Sequence, residues 1–203
     1  MKKLVLSFLF VTGLLCASPI TTTVKLVDAG HPTLSDGHYY VGPYDLLING
    51  QTVAALCIDV ADQTGIGETW TAYLSPVGGD ISHTYHPTFG VRYEEEAYLY
   101  SLITQPGSDR IHIQHAAWNI TNSSYTIGST SQYYKNLAAA NYSMMNFTGY
   151  YIVSGIDSHN HEQEFLIHLP TSAPEPASYA LFGLGLVGAL TARRWKKRSL
   201  QTL

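Results

Sequence analysis

Positive charge is scarce over most of this 203-residue chain. Between residues 19 and 170 it comes only from Lys25, Arg92, Arg110 and Lys135. Fourteen of the chain's fifteen acidic residues stand against these four, so the stretch has a formal charge of −10. A surface of that sign is repelled by phosphate backbones and by anionic lipid, which argues against nucleic acid as a partner. Cysteine is equally sparse: Cys16 and Cys57 are the only two, too few for a disulfide scaffold or a four-thiolate zinc site. There is no His-Glu-x-x-His pair, and Gly183 and Gly185 lie in an apolar run rather than a phosphate-binding loop. Six of the nine histidines form loose pairs: His83 with His86, His112 with His115, and His159 with His161. His112 and His115 have a helical ligand spacing, but no motif supplies a third ligand. Neither a metal nor another cofactor is expected, and no internal repeat is visible.

The two ends carry what the middle lacks. Met1, Lys2 and Lys3 precede an apolar run over residues 4–16, the pattern of a secretory signal peptide. Cleavage is expected near Ala17 or Ser18, so residues 1–18 are read as a signal helix too short to span a bilayer. Gly13-Leu14-Leu15 before Cys16 fits a lipidation box poorly. At the other end, Pro174-Glu175-Pro176 leads into an uncharged run over residues 177–192, and then into Arg193, Arg194, Lys196, Lys197 and Arg198. The prolines isolate the apolar run as its own helix. That run is read as a transmembrane helix of marginal length, with its basic stop in the cytoplasm and Trp195 at the interface.

Taken in this order, Pro174-Glu175-Pro176, the Gly/Leu-rich apolar run and the basic end resemble the PEP-CTERM sorting signal. The resemblance implies a Gram-negative bacterium that makes exopolysaccharide. It also implies processing by an exosortase acting near Pro174, Glu175 and Pro176. The chain is then exported, anchored in the inner membrane through its C-terminal helix, and released to the cell surface or extracellular matrix. Residues 171–203 are assigned to this segment and residues 19–170 to one extracytoplasmic domain, a natural size for one.

In that domain, β-type runs over residues 38–48 and 52–60 flank Asn49-Gly50, a strong hairpin signal. Residues 69–74 read as a further strand, and a Gly/Pro/His-rich loop follows to Gly90. Helical patterns occupy residues 93–103, from a cap at Ser108 or Asp109 to about Asn119, and residues 132–141. Glu94, Glu95 and Glu96 read as a solvated first turn. Strands return at residues 149–154 and 164–169. The fold class is α+β, a sheet or barrel with a helical insertion. Tyrosine, at fifteen residues, is mostly packing in such a domain, although exposed rings also stack on sugars.

Cys57 is left unpaired once the signal peptide is gone, which in an exported protein requires a reason. A buried small hydrophobe and an intermolecular disulfide are two readings. The third rests on the helix carrying Gln114 and, one turn on, Trp118. A cysteine in a strand, followed by this glutamine-tryptophan helix, resembles the thioester domain of bacterial surface adhesins over about residues 39–125. The Glu-rich helix with Ala97-Tyr98-Leu99 is similar too. The resemblance implies an internal thioester between Cys57 and Gln114, shielded by Trp118, with His112 and His115 assisting proton transfer. An amine-bearing surface ligand would open it. No enzymatic activity is expected: Cys57 has neither flanking glycine nor helix start to activate a thiolate. The alternative is a structural or carbohydrate-binding protein of the exopolysaccharide matrix with an inert Cys57.

Overall fold

The computed structural model describes residues 19–30, 34–157 and 162–170. The signal helix and the C-terminal transmembrane helix expected above lie outside these residues. Among the described residues no helix is long and apolar enough to cross a membrane.

Six antiparallel strands close into a barrel. The strands are β1 (Ile20–Asp28), β4 (Tyr44–Ile48), β5 (Gln51–Cys57), β6 (Thr69–Pro76), β7 (Tyr150–Gly155) and β8 (Phe165–His168), in the order β1-β4-β5-β8-β7-β6. Closure leaves no unpaired edge among them. Two short strands, β2 (Leu34–Ser35) and β3 (Tyr40–Val41), form a separate hairpin. Asn49 and Gly50 turn β4 into β5 with φ of 50° and 80°, the left-handed pair that a two-residue hairpin requires. The strand expected over residues 38–48 is divided: Gly42-Pro43 interrupts it, sending residues 40–41 to the hairpin and 44–48 to the barrel. β1 was not anticipated. Its Val24 and Leu26 point inward and its threonines mostly outward, an alternation of moderate polarity.

Strand alternation divides the apolar residues between two cores. Val24, Leu46, Cys57, Trp70, Phe165 and Ile167 fill the barrel. Their neighbours Leu56, Ile152 and Leu166 face outward into a second core. Three helices build that second core, α1 (Gly90–Ile103) and α2 (Arg110–Thr121) against the strands and α3 (Ser129–Asn141) against both helices. α1 presents Tyr93, Glu96, Ala97, Tyr100 and Ile103 inward, one helical stripe. Because α1 begins at Gly90, its glutamates fall in the second turn. The expectation that Glu94–96 are solvated is corrected for Glu96, which is fully buried.

Phe165 joins β8 to both Tyr44 (5.7 Å between ring centres) and Trp70 (6.2 Å) inside the barrel. Replacing Phe165 with Ala is expected to cost about 3–5 kcal/mol in urea denaturation. Tyr133→Ala, at an exposed α3 position, is expected to cost no more than about 0.5 kcal/mol.

Candidate functional site

Cys57 ends β5 and points into the barrel. Its thiol is fully buried and donates to the Asp59 carbonyl oxygen at 3.0 Å. Burial pushes the thiol up to about 12, with Asp59 and Glu96 adding repulsion and Trp118 opposing. The indole N–H of Trp118 lies beside the sulfur and has no nitrogen or oxygen acceptor of its own. Cys57 is therefore a protonated thiol at neutral pH.

Gln114 reaches the same place from α2. Its side chain is fully buried, its Nε2 donates to the Cys57 carbonyl oxygen at 2.5 Å, and its Oε1 accepts from the Gly42 N–H at 3.1 Å. Both ends of the carboxamide are thus held, and its carbonyl carbon sits between the β3–β4 corner and the end of β5. Gly42 is closely packed there. A Cβ on it would stand 3.0 Å from Gln114 Oε1 and 3.4 Å from the Ala55 carbonyl oxygen.

One stripe of α2 builds this arrangement. Arg110, Gln114 and Trp118 are spaced four apart and share a face. Arg110 donates to the Gly42 carbonyl through Nε at 2.5 Å and to the Val41 carbonyl through a terminal nitrogen at 3.1 Å, so the corner that offers its N–H to Gln114 is gripped by its carbonyls. Trp118 leaves the helical core and packs into the barrel core beside Cys57. Thr121 closes the stripe, donating to the Ile58 carbonyl at 2.5 Å. Sequence reasoning missed Gly42 and Arg110. Arg110 lies one turn before Gln114, and that spacing is the signal it left.

The two histidines are placed differently. His115 Nε2 lies 2.7 Å from Asp36 Oδ2 and the ring stacks on Trp118 at 5.6 Å. Asp36 also accepts from the His38 and Tyr39 N–H groups at 2.8 Å each. Burial opposes its ionisation, but these bonds and His115 hold Asp36 below the usual carboxylate range. His115 thereby ties the β2–β3 hairpin to α2. His112 faces away, 43% exposed, with Nδ1 at 2.8 Å from Asp109 at the start of the helix. His83 stacks on Tyr73 and His86 on Phe89. Among the described residues no group of three potential ligands could hold a metal.

A pair of buried carboxyls lies behind the site. Glu164 accepts from Ser154 Oγ (2.6 Å), Tyr93 Oη (2.8 Å) and the Tyr85 N–H (2.8 Å), yet burial pushes it up to about 7. Glu96 has no partner for either oxygen, and burial holds it well above the usual range, with Glu95 and Glu164 adding repulsion. Lys135 opposes this.

Three comparisons bear on the chain as a whole. Residues 172–197 match the PEP-CTERM protein-sorting motif, the element recognised by an exosortase. This motif implies export, a membrane-anchored state before processing, and a later place at the cell surface. Among solved structures, the chain is similar to the N-terminal thioester domain of a surface protein from Clostridium perfringens. The match has 12% identity and a TM-score of 0.40, and it covers 73% of this chain and 98% of that one. No curated protein sequence matches the chain.

The folded protein holds the Glu164 proton to higher pH than the unfolded chain, whose glutamate has the ordinary value of 4.5. The stabilisation from that proton is complete below this value and is lost as pH rises through about 7. Glu164→Gln is expected to flatten the fall in urea-unfolding free energy between pH 5 and 8 by an amount on the order of 2–3 kcal/mol.

Proposed function

We propose that this is an exported surface protein that attaches covalently to an amine-bearing partner through an internal thioester between Cys57 and Gln114. The single observation that carries the reading is the clamp on the Gln114 carboxamide. Its oxygen sits on the Gly42 N–H at 3.1 Å, and its nitrogen on the carbonyl of the residue that bears the thiol.

The chemistry follows from that clamp. Cys57 Sγ attacks Gln114 Cδ, the negative charge developing on Oε1 is met by the Gly42 N–H, and Nε2 departs as ammonia carrying the thiol proton. One C–N bond breaks and one S–C bond forms, with no change of oxidation state. A partner amine then attacks the same carbon, giving an isopeptide-type amide on Gln114 and returning the proton to Cys57. Each molecule acts once, so this is not turnover. Trp118 over the sulfur keeps water from the activated carbonyl. A cysteine hydrolase is disfavoured, because the Cys57 thiol donates to a backbone carbonyl rather than to a histidine base.

The test is the intact mass of the purified full chain. It is expected to be lighter by one ammonia than its sequence requires. Methylamine treatment should restore that mass plus the added methylene, and Cys57→Ala should abolish both effects. Gly42→Ala, whose Cβ crowds Gln114 Oε1, is expected to lower the fraction of molecules carrying the deficit at least ten-fold. Full mass with a free Cys57 thiol in the wild type would refute the proposal and leave the non-covalent matrix protein.

A further inference from the structure

Beside Trp118 a cavity of about 350 Å³ opens to the surface, within the range of small-molecule sites. Its aromatic wall is Tyr39, Tyr40, Tyr44 and Trp118. Trp118 flanks the Cys57 sulfur, and the Tyr44 ring lies against Gly42, which holds Gln114. The cavity therefore ends on the residues that enclose the reactive pair. The lining also includes Gln63, Thr64 and Gln163. Gln163 is fixed by donating through Nε2 to the Asp59 carbonyl at 3.1 Å, and Thr64 Oγ1 accepts from the Gln163 N–H at 2.8 Å.

Three exposed large apolar residues gather at the mouth: Tyr39 (40% exposed), Tyr40 (51%) and Ile66 (55%). The hairpin that carries the tyrosines is tied down twice. Asp36 holds His115, and Tyr44 Oη donates to the Tyr40 carbonyl at 2.5 Å. Tyr39 meets Trp118 edge-on at 5.5 Å. These contacts make the aromatic wall a pre-formed platform with exposed apolar residues beside the cavity.

The lining also selects by charge. Among the described residues, no Lys, Arg, Asp or Glu lines the cavity, and His38 is its one basic side chain. A lysine side chain, with a pKa of about 10.4, would arrive as an ammonium ion and find no carboxylate to replace its water. A ring with apolar C–H faces and polar edges suits the site better, stacking on tyrosine while its hydroxyls meet the amides and Thr64. An amine on such a ring is less basic than lysine's, because neighbouring oxygens withdraw electron density, so more of it is present as the nucleophilic free base.

From this geometry we infer that the cavity is the acceptor subsite of the thioester and takes an amine-bearing pyranose, a non-acetylated hexosamine unit of a polysaccharide. Its covalent capture rests on the thioester reading, but its binding does not. The amine attacks Gln114 Cδ, the Sγ–Cδ bond breaks, and the amine's proton passes to Cys57, leaving a sugar amide on Gln114.

The experiment follows adducts on the full chain by intact mass, with glucosamine, Nα-acetyl-lysine amide and methylamine at equal concentration. Glucosamine is expected to add at least ten-fold faster than the lysine amide. N-acetylglucosamine, which lacks the amine, should slow it by occupying the cavity. Tyr40→Ala and Gln63→Ala should each lower the glucosamine-to-methylamine rate ratio several-fold. Equal rates for lysine and glucosamine, or no competition by N-acetylglucosamine, would overturn the inference. If methylamine itself adds nothing, the thioester reading fails, and saturation-transfer NMR of glucosamine with the protein decides the subsite separately. Transfer that is lost in Tyr40→Ala supports it, and absence of transfer in the wild type overturns it.

Discussion

A glutamine carboxamide buried away from water must find partners for its donors and its acceptor, or it costs the fold several kcal/mol. Gln114 makes one bond through its nitrogen and one through its oxygen, across the boundary between helices and barrel. Its nitrogen is bonded to the end of β5 and its oxygen to the β3–β4 corner, while its own backbone belongs to α2. The helix layer and the barrel are thereby joined at the position where the only cysteine of the described residues sits. Held at both its nitrogen and its oxygen, such a buried polar group favours one register and one approach angle.

The surroundings make sense as supports for that junction. Arg110 grips the carbonyls of the corner whose N–H serves Gln114. Trp118 occupies the barrel core with its indole N–H on the sulfur side. Behind it, burial holds Glu96 well above the usual carboxylate range and pushes Glu164 up to about 7. Burial is the main cause that keeps Cys57 protonated, with Asp59 and Glu96 adding repulsion, and a protonated, buried thiol is protected from oxidation. The hairpin over Trp118 is secured by Asp36 and His115.

Much of the fold was legible in the sequence because its signals are local. Asn49-Gly50 announces a hairpin since few residues accept left-handed φ, and the apolar stripe of α2 announces itself by its period. What escaped was long-range or ambiguous in phase. β1 offers threonines where stronger strands offer larger apolar residues. Glu94, Glu95 and Glu96 are chemically identical, and only the start of α1 at Gly90 decides which of them turns inward. Gly42 lies seventy-two residues from the side chain it serves, a distance no periodicity spans. Cys57 and Gln114 were nominated by residue type and resemblance. The neighbours that hold them were not, because closure of the barrel is what brings them together.

The most direct measurement is a high-resolution crystal structure of the purified protein collected at low X-ray dose. Continuous density between Cys57 Sγ and Gln114 Cδ, with Oε1 still accepting from the Gly42 N–H and no atom left at Nε2, is the expected result. A separate thiol beside an intact carboxamide, with Nε2 still donating to the Cys57 carbonyl, would contradict it.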